Sequence, residues 1–190
     1  MEIILFYLEF LPQDLFTAFG IYSLLYVIVK TFNKNQTLIA FDFNARKFII
    51  LNGLIYFVAW TSRTIYFYFQ NSGENQKDLE ELMFGQYSLQ FWFQPIFWLI
   101  LSQLYRIKLL SENTIFRILS SLGLLISIDK LIIFLSAFHR DYLPSSWSIS
   151  SSLSIYPSNF ILEVLTKLLI FIVCVIFFDR IQYRINKNYR

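Results

Sequence analysis

Apolar blocks of about 20 residues recur along the chain and restrict the folds that it can adopt. A helix rises about 1.5 Å per residue, so a block of this length matches the roughly 30 Å hydrocarbon core of a bilayer. Charged residues make up 15% of the 190 residues and hydrophobic residues 56%, whereas soluble domains carry about 25% charged residues. The sequence therefore predicts an all-α, multi-pass transmembrane helical bundle that forms a single membrane domain over residues 1–190.

Five blocks have the length and polarity of membrane spans: about residues 13–30, 48–69, 87–105, 116–138 and 159–178. Because Pro12 fits the first turn of a helix, residues 1–11 are interpreted as an interfacial segment before the first span. A four-span alternative makes the third block re-entrant, since it contains Gln90, Gln94, Pro95 and Gln103. The Ser-rich segment 144–158 is predicted to be an outer loop.

The distribution of basic residues predicts the orientation of the spans. Lys and Arg concentrate in cytoplasmic loops. Only Lys77 and Arg140 fall after spans two and four. Eleven basic residues follow spans one, three and five: Lys30, Lys34, Arg46, Lys47, Arg106, Lys108, Arg117, Arg180, Arg184, Lys187 and Arg190. We therefore expect the N-terminus outside and the C-terminus in the cytoplasm, with the last span extending as a basic helix.

Five ionisable side chains lie inside the predicted spans: Arg63, Asp129, Lys130, Glu163 and Lys167. Each costs about 2.5 to 3.5 kcal/mol at the centre of a membrane helix, so these groups must be paired or hydrated. We count depth at about 1.5 Å per residue from the outer ends of the spans. By this count Arg63 and Glu163 lie at the same depth. The other three, Asp129, Lys130 and Lys167, lie in a deeper layer. We expect two interhelical ion pairs, Arg63 with Glu163 and Asp129 with Lys167.

Lys130 is then the leftover cation. It is expected to snorkel outward, to pair with Glu9 or Asp14, or to meet a partner subunit or an anionic ligand. The whole charge cluster has three interpretations: interhelical packing clamps, a polar cavity open to the outer face, or a proton or ion relay.

Neutral polar residues within the spans give a second signal. Asn52 and Gln103 are among those expected to hydrogen-bond between helices. Gln94 precedes Pro95 in the third span, where proline frees a backbone carbonyl. These two residues mark a cavity or a kink.

The reactive side chains needed for common catalytic sites are missing from the sequence. His139 is the only histidine and Cys174 the only cysteine, so the spans contain no two-His metal motif, Ser-His pair or CxxC pair. No glycine-rich phosphate loop is present. We therefore predict no enzymatic activity, no catalytic, cofactor-binding or metal-binding residues and no cofactor. The net charge of +3 is spread among loops and predicts no nucleic-acid partner.

Three functions fit this description. The first is an accessory or structural subunit of a larger membrane protein complex, with membrane lipids and other membrane subunits as partners. The alternative is a small transporter or ligand-binding protein with a charged outer-half cavity, and the third is a membrane sensor. A composition rich in Ile, Phe, Asn and Lys favours a bacterial cytoplasmic (inner) membrane.

Overall fold

The structure, a computed structural model, describes residues 2–32, 35–70, 74–85, 88–126, 156 and 159–188. The described residues form helices and contain no strand, which confirms the prediction of an all-helical fold. The helices are α1 (Glu2–Phe32), α2 (Gln36–Gln70), α3 (Glu74–Phe84), α4 (Ser88–Leu104), α5 (Lys108–Glu112), α6 (Thr114–Leu125) and α7 (Phe160–Asn188).

Three of the described helices are long and apolar enough to cross a membrane. The candidate spans are Phe10–Phe32 in α1, Gln36–Gln70 in α2 and Phe160–Ile185 in α7. The apolar parts of α4 and α6, Phe91–Leu104 and Thr114–Leu125, are shorter than a full crossing. The chain therefore has the helices of a membrane protein, while the count of five spans and the orientation stay predictions.

The first two helices are longer than the sequence predicts. The segment 2–11 is helical and continues through Pro12 into the predicted first span. Helix α2 begins at Gln36, twelve residues before the predicted start of the second span. The sequence predicts a loop over 36–47, but Asp42 and Arg46 form an i,i+4 ion pair that a helix accommodates.

The C-terminal end of α6 differs from the continuous helix predicted over 116–138. The helix ends at Leu125, and Ile126 has an extended backbone with φ −94° and ψ 108°. The last carbonyls of a helix lack donors within the helix, and Trp98 of α4 donates its Nε1–H to the Gly123 carbonyl at 3.2 Å. The rest of this predicted span, from 127 to 138, lies outside the described residues.

Helix α1 lies at the centre of the bundle and contacts α2, α6 and α7. Its Phe16 and Phe19 side chains are fully buried. The Phe16 ring lies 5.6 Å from the ring of Tyr56 in α2 and 5.2 Å from that of Trp98 in α4. Such aromatic pairs contribute about 0.5 to 1.5 kcal/mol each beyond the buried area. This aromatic core fixes the helices that hold the polar groups described below.

Two neutral side chains connect the helices, as the sequence predicts. Asn52 of α2 donates its Nδ2–H to the Pro12 carbonyl of α1 at 3.0 Å. Gln103 of α4 donates its Nε2–H to the Ile50 carbonyl of α2 at 3.0 Å. A Cβ at Gly53 would lie 2.7 Å from the Ser102 Cβ, so only glycine permits this approach of α2 and α4.

Candidate functional site

The buried Asp42 and Arg117 and the partly buried Arg46 form a group that we call the arginine cluster. Arg117 of α6 binds the Asp42 carboxylate of α2 in a bidentate manner, with Nη1 2.8 Å from Oδ2 and Nη2 2.6 Å from Oδ1. Asp42 is 1% exposed and Arg117 3% exposed. Two parallel charge-assisted hydrogen bonds orient the guanidinium strongly. The ion pair therefore fixes α6 against α2 inside the bundle.

Helix α1 supplies the remaining contacts of the Arg117 guanidinium. Its Nε donates to Ser23 Oγ at 3.2 Å, and its Cζ lies 4.3 Å from the centre of the Tyr26 ring. Both α1 residues are buried. A cation over an aromatic face gains about 2 kcal/mol or more when water is excluded. Arg117 thus joins three helices at one position.

Arg46 is the second cation of the cluster. Its Nε lies 3.1 Å from Asp42 Oδ2, and its Nη1 donates to Ser111 Oγ of α5 at 2.7 Å. The two guanidinium groups share one carboxylate, so the cluster carries one excess positive charge. Excess buried charge is costly unless an anion or water approaches it.

The arginine cluster was missed at the level of sequence. The sequence predicts Arg46 and Arg117 to be loop cations that set the orientation, and it predicts Asp42 to lie in a loop. The four-residue spacing of Asp42 and Arg46 was the available signal. Arg117 lies 75 residues beyond Asp42 in the chain, so no local pattern connects the two.

A second group, which we call the lysine cluster, contains Asp14, Glu163 and Lys167. Lys167 Nζ lies 2.8 Å from Asp14 Oδ1 of α1 and 2.7 Å from Glu163 Oε1, one turn earlier in α7. The Lys167 side chain is 5% exposed, and the two carboxylates are 13% and 14% exposed. The cluster carries one excess negative charge and holds α7 against α1.

Tyr156, which precedes α7 in the chain, also contacts the lysine cluster. Lys167 Nζ lies 4.9 Å from the centre of its ring. Burial, followed by the negative charge of Asp14, raises the pKa of Tyr156 above its ordinary value. The phenol therefore stays protonated at neutral pH, and its neutral ring is a cation–π partner of Lys167.

The structure brings together only part of the charge cluster predicted from sequence. Glu163 and Lys167 are paired with each other, and Lys167 also binds Asp14. The Arg63 guanidinium lies over the rings of Phe67 and Phe10, at 5.3 and 5.8 Å. Its pairing with Glu163 stays a prediction. The other two members of the predicted cluster, Asp129 and Lys130, lie outside the described residues, as does the Ser-rich loop apart from Tyr156.

The remaining predicted position is the Gln94–Pro95 pair. Pro95 is buried and Gln94 half-buried, and α4 continues through both residues. The cavity or kink expected here stays a prediction. Within the part of the chain that the structure describes, no group of three or more His, Cys, Asp or Glu residues is arranged to hold a metal ion.

The fold and these clusters define a class: an all-helical membrane protein whose buried charges pair between helices. Comparisons with protein-family models, with curated proteins and with solved structures found no match to the chain. The geometry of the helices and of the two clusters is therefore the basis for a functional proposal.

Proposed function

We propose that this chain is a non-catalytic integral membrane protein that acts as an accessory or structural subunit of a larger complex in the bacterial inner membrane. The observation that carries the proposal is the exposure of α7. Only 17% of its most apolar window is buried inside the chain, against 39% for α1 and 33% for α2. Most of the surface of α7 is thus available to lipid or to another membrane helix.

The two ion clusters support the same proposal. In each cluster one ion pair crosses a helix contact, Arg117 with Asp42 at 2.6 Å and Lys167 with Asp14 at 2.8 Å. Such pairs act as packing clamps, because breaking one leaves an uncompensated charge inside the bundle. A rigid bundle with an exposed apolar helix is suited to packing against other subunits.

Purification from the native host in mild detergent tests the proposal. We expect the tagged chain to elute with other membrane proteins in a fixed ratio, measured by its mass together with protein identification. Elution of the chain alone and monodisperse would contradict the proposal.

A matched pair of variants locates the contact. Leu169 in α7 is 62% exposed and Val58 in α2 is 61% exposed. Lipid chains accommodate an added tryptophan, whereas a packed helix interface does not. We expect Leu169→Trp to elute without the partner and Val58→Trp to retain it.

One observation favours the alternative, a transporter or ligand-binding protein. Asp14 Oδ2 is buried and has no hydrogen-bond partner among the described residues. A buried acceptor of this kind costs about 1 to 3 kcal/mol unless water or a ligand reaches it. If the chain elutes alone, ligand screening with Asp14→Asn and Glu163→Gln variants becomes the test of this alternative.

A further inference from the structure

A groove of about 350 Å³ opens between α2 and the connection from α4 to α5. We call it the basic groove and define it by four cations and two apolar residues of its lining: Arg46, Lys47, Arg106, Lys108, Phe43 and Ile50. Glu112 is the acidic residue of the lining. The lining therefore has a net charge of +3, which favours an anion.

Arg46 belongs both to the arginine cluster and to the lining of the basic groove, so the excess positive charge of the cluster lies beside the groove. The Asp42 carboxylate is already held by Arg117 with two short hydrogen bonds. Arg46 Nε is buried and makes no hydrogen bond to the described residues, although it lies 3.1 Å from Asp42 Oδ2. Ser111 holds the Arg46 Nη1 at 2.7 Å. The guanidinium is thus fixed at the groove with part of its charge uncompensated.

The other cations of the groove make only weak contacts with the described residues. Lys108 lies 4.0 Å from Glu112, and both side chains are more than half exposed. Exposed pairs at this distance contribute about 0 to 1 kcal/mol. Lys47 lies over the Phe43 ring at 4.3 Å, and Arg106 is exposed. Each of these cations can therefore turn toward an anion at little cost.

The groove lies beside the ends of the apolar stretches of α2 and α4. Lys47 is the last charged residue of α2 before the uncharged stretch from Phe48 to Ser62, and the apolar part of α4, Phe91–Leu104, ends just before Tyr105 and Arg106. Basic and aromatic residues at such positions lie at the level of lipid headgroups. The apolar residues Phe43 and Ile50 stand beside the cations on α2.

We propose that the basic groove binds a phosphate group, carried by an anionic phospholipid or present as free phosphate. The planar guanidinium of Arg46 offers parallel donors to phosphate oxygens, and the lysines add mobile point charges. The proposal is independent of the subunit role and of the orientation of the chain. It needs only the cations that the described residues bring together.

Native mass spectrometry of the purified full chain in detergent tests the proposal. The probes are phosphatidylglycerol, phosphatidylcholine and inorganic phosphate, the last also as a competitor of bound phosphatidylglycerol. The test variant is the double substitution Arg106→Gln with Lys108→Gln. The matched control is Lys77→Gln with Arg180→Gln, which removes the same charge from exposed positions in α3 and α7.

We expect phosphatidylglycerol to bind more tightly than phosphatidylcholine. The groove variant should weaken this binding by about tenfold or more, since each basic residue near an anionic surface adds to affinity. The control variant should bind as the unaltered chain does. Displacement of the lipid by inorganic phosphate, or binding of phosphate alone, would support the site and assign it to a soluble ligand.

Two results would overturn the proposal. One is equal binding of the two lipids together with no binding of inorganic phosphate. The other is equal weakening by the groove variant and the control variant, because attraction would then follow total charge and not the groove.

Discussion

The arginine cluster and the lysine cluster each hold three charged side chains in the bundle, but they differ in shape and in excess charge. The first uses planar guanidinium groups, shares one carboxylate and has excess positive charge. The second uses one ammonium group between two carboxylates and has excess negative charge. The first joins α2 and α6 with contacts from α1, whereas the second joins α1 and α7. The comparison indicates a rigid centre and a less tightly held outer helix.

The largest loss of stability is expected when the shared carboxylate of Asp42 is removed. Asp42→Asn leaves the buried Arg117 guanidinium and the partly exposed Arg46 guanidinium facing a neutral amide. We expect it to lower the free energy of unfolding by about 3 to 5 kcal/mol, measured by equilibrium unfolding in mixed detergent micelles. The control is Asp179→Asn, an exposed carboxylate bound to Asn44 at 2.8 Å. Equal loss in the two variants would show that Asp42 is not a structural centre.

Loss of the lysine should have a smaller effect. Lys167→Met leaves two carboxylates without their cation, but these are more exposed than Asp42 and water can reach them more readily. We expect a loss of about 1 to 3 kcal/mol in the same assay. Adding Glu163→Gln should recover part of this loss, because one of the two repelling charges is removed. A double variant less stable than Lys167→Met would contradict the ion-pair explanation.

Exchange of the two kinds of cation tests whether the two clusters need different cation shapes. Arg117→Lys keeps the charge but loses the bidentate geometry, so we expect a loss of about 1 to 2 kcal/mol. Lys167→Arg is the companion variant, and it should cost less, because the lysine cluster uses its cation as a point charge. The comparison would fail if Arg117→Lys were as stable as the unaltered chain.

The smallest expected effect concerns the contribution of α1 to the arginine cluster. Ser23→Ala removes the acceptor of the Arg117 Nε–H and should cost about 0.5 to 1.5 kcal/mol. Ser62→Ala, at an exposed position of α2, is the control and should be close to neutral. Identical stabilities would show that α1 contributes packing and not hydrogen bonding at this position.

The sequence predicts those features that arise from local pattern. The helix predicted over 87–105 agrees in extent with α4 at Ser88–Leu104, although its apolar part is shorter than a full crossing. The last helix extends to Asn188 as a basic segment. Glu163 and Lys167 are four residues apart on one helix face and pair with each other, although the sequence predicts Arg63 and Asp129 as their partners.

Long-range pairing is what the sequence leaves undetermined. Asp14 and Lys167, like Asp42 and Arg117, come from distant parts of the chain. Their meeting depends on how α1 packs against its neighbours. The rule that basic residues mark loops also gives the wrong position for Arg117, because the sequence does not distinguish a buried arginine from a loop arginine.

Asp42 pairs with both Arg46 and Arg117, and these two partners are synthesised at different times. Asp42 is synthesised 75 residues before Arg117, which corresponds to roughly 4 to 15 s of translation. During that interval Arg46, one turn away on the same helix, is the cation that α2 itself provides. Arg46 is therefore the cation available to neutralise this carboxylate before Arg117 is made.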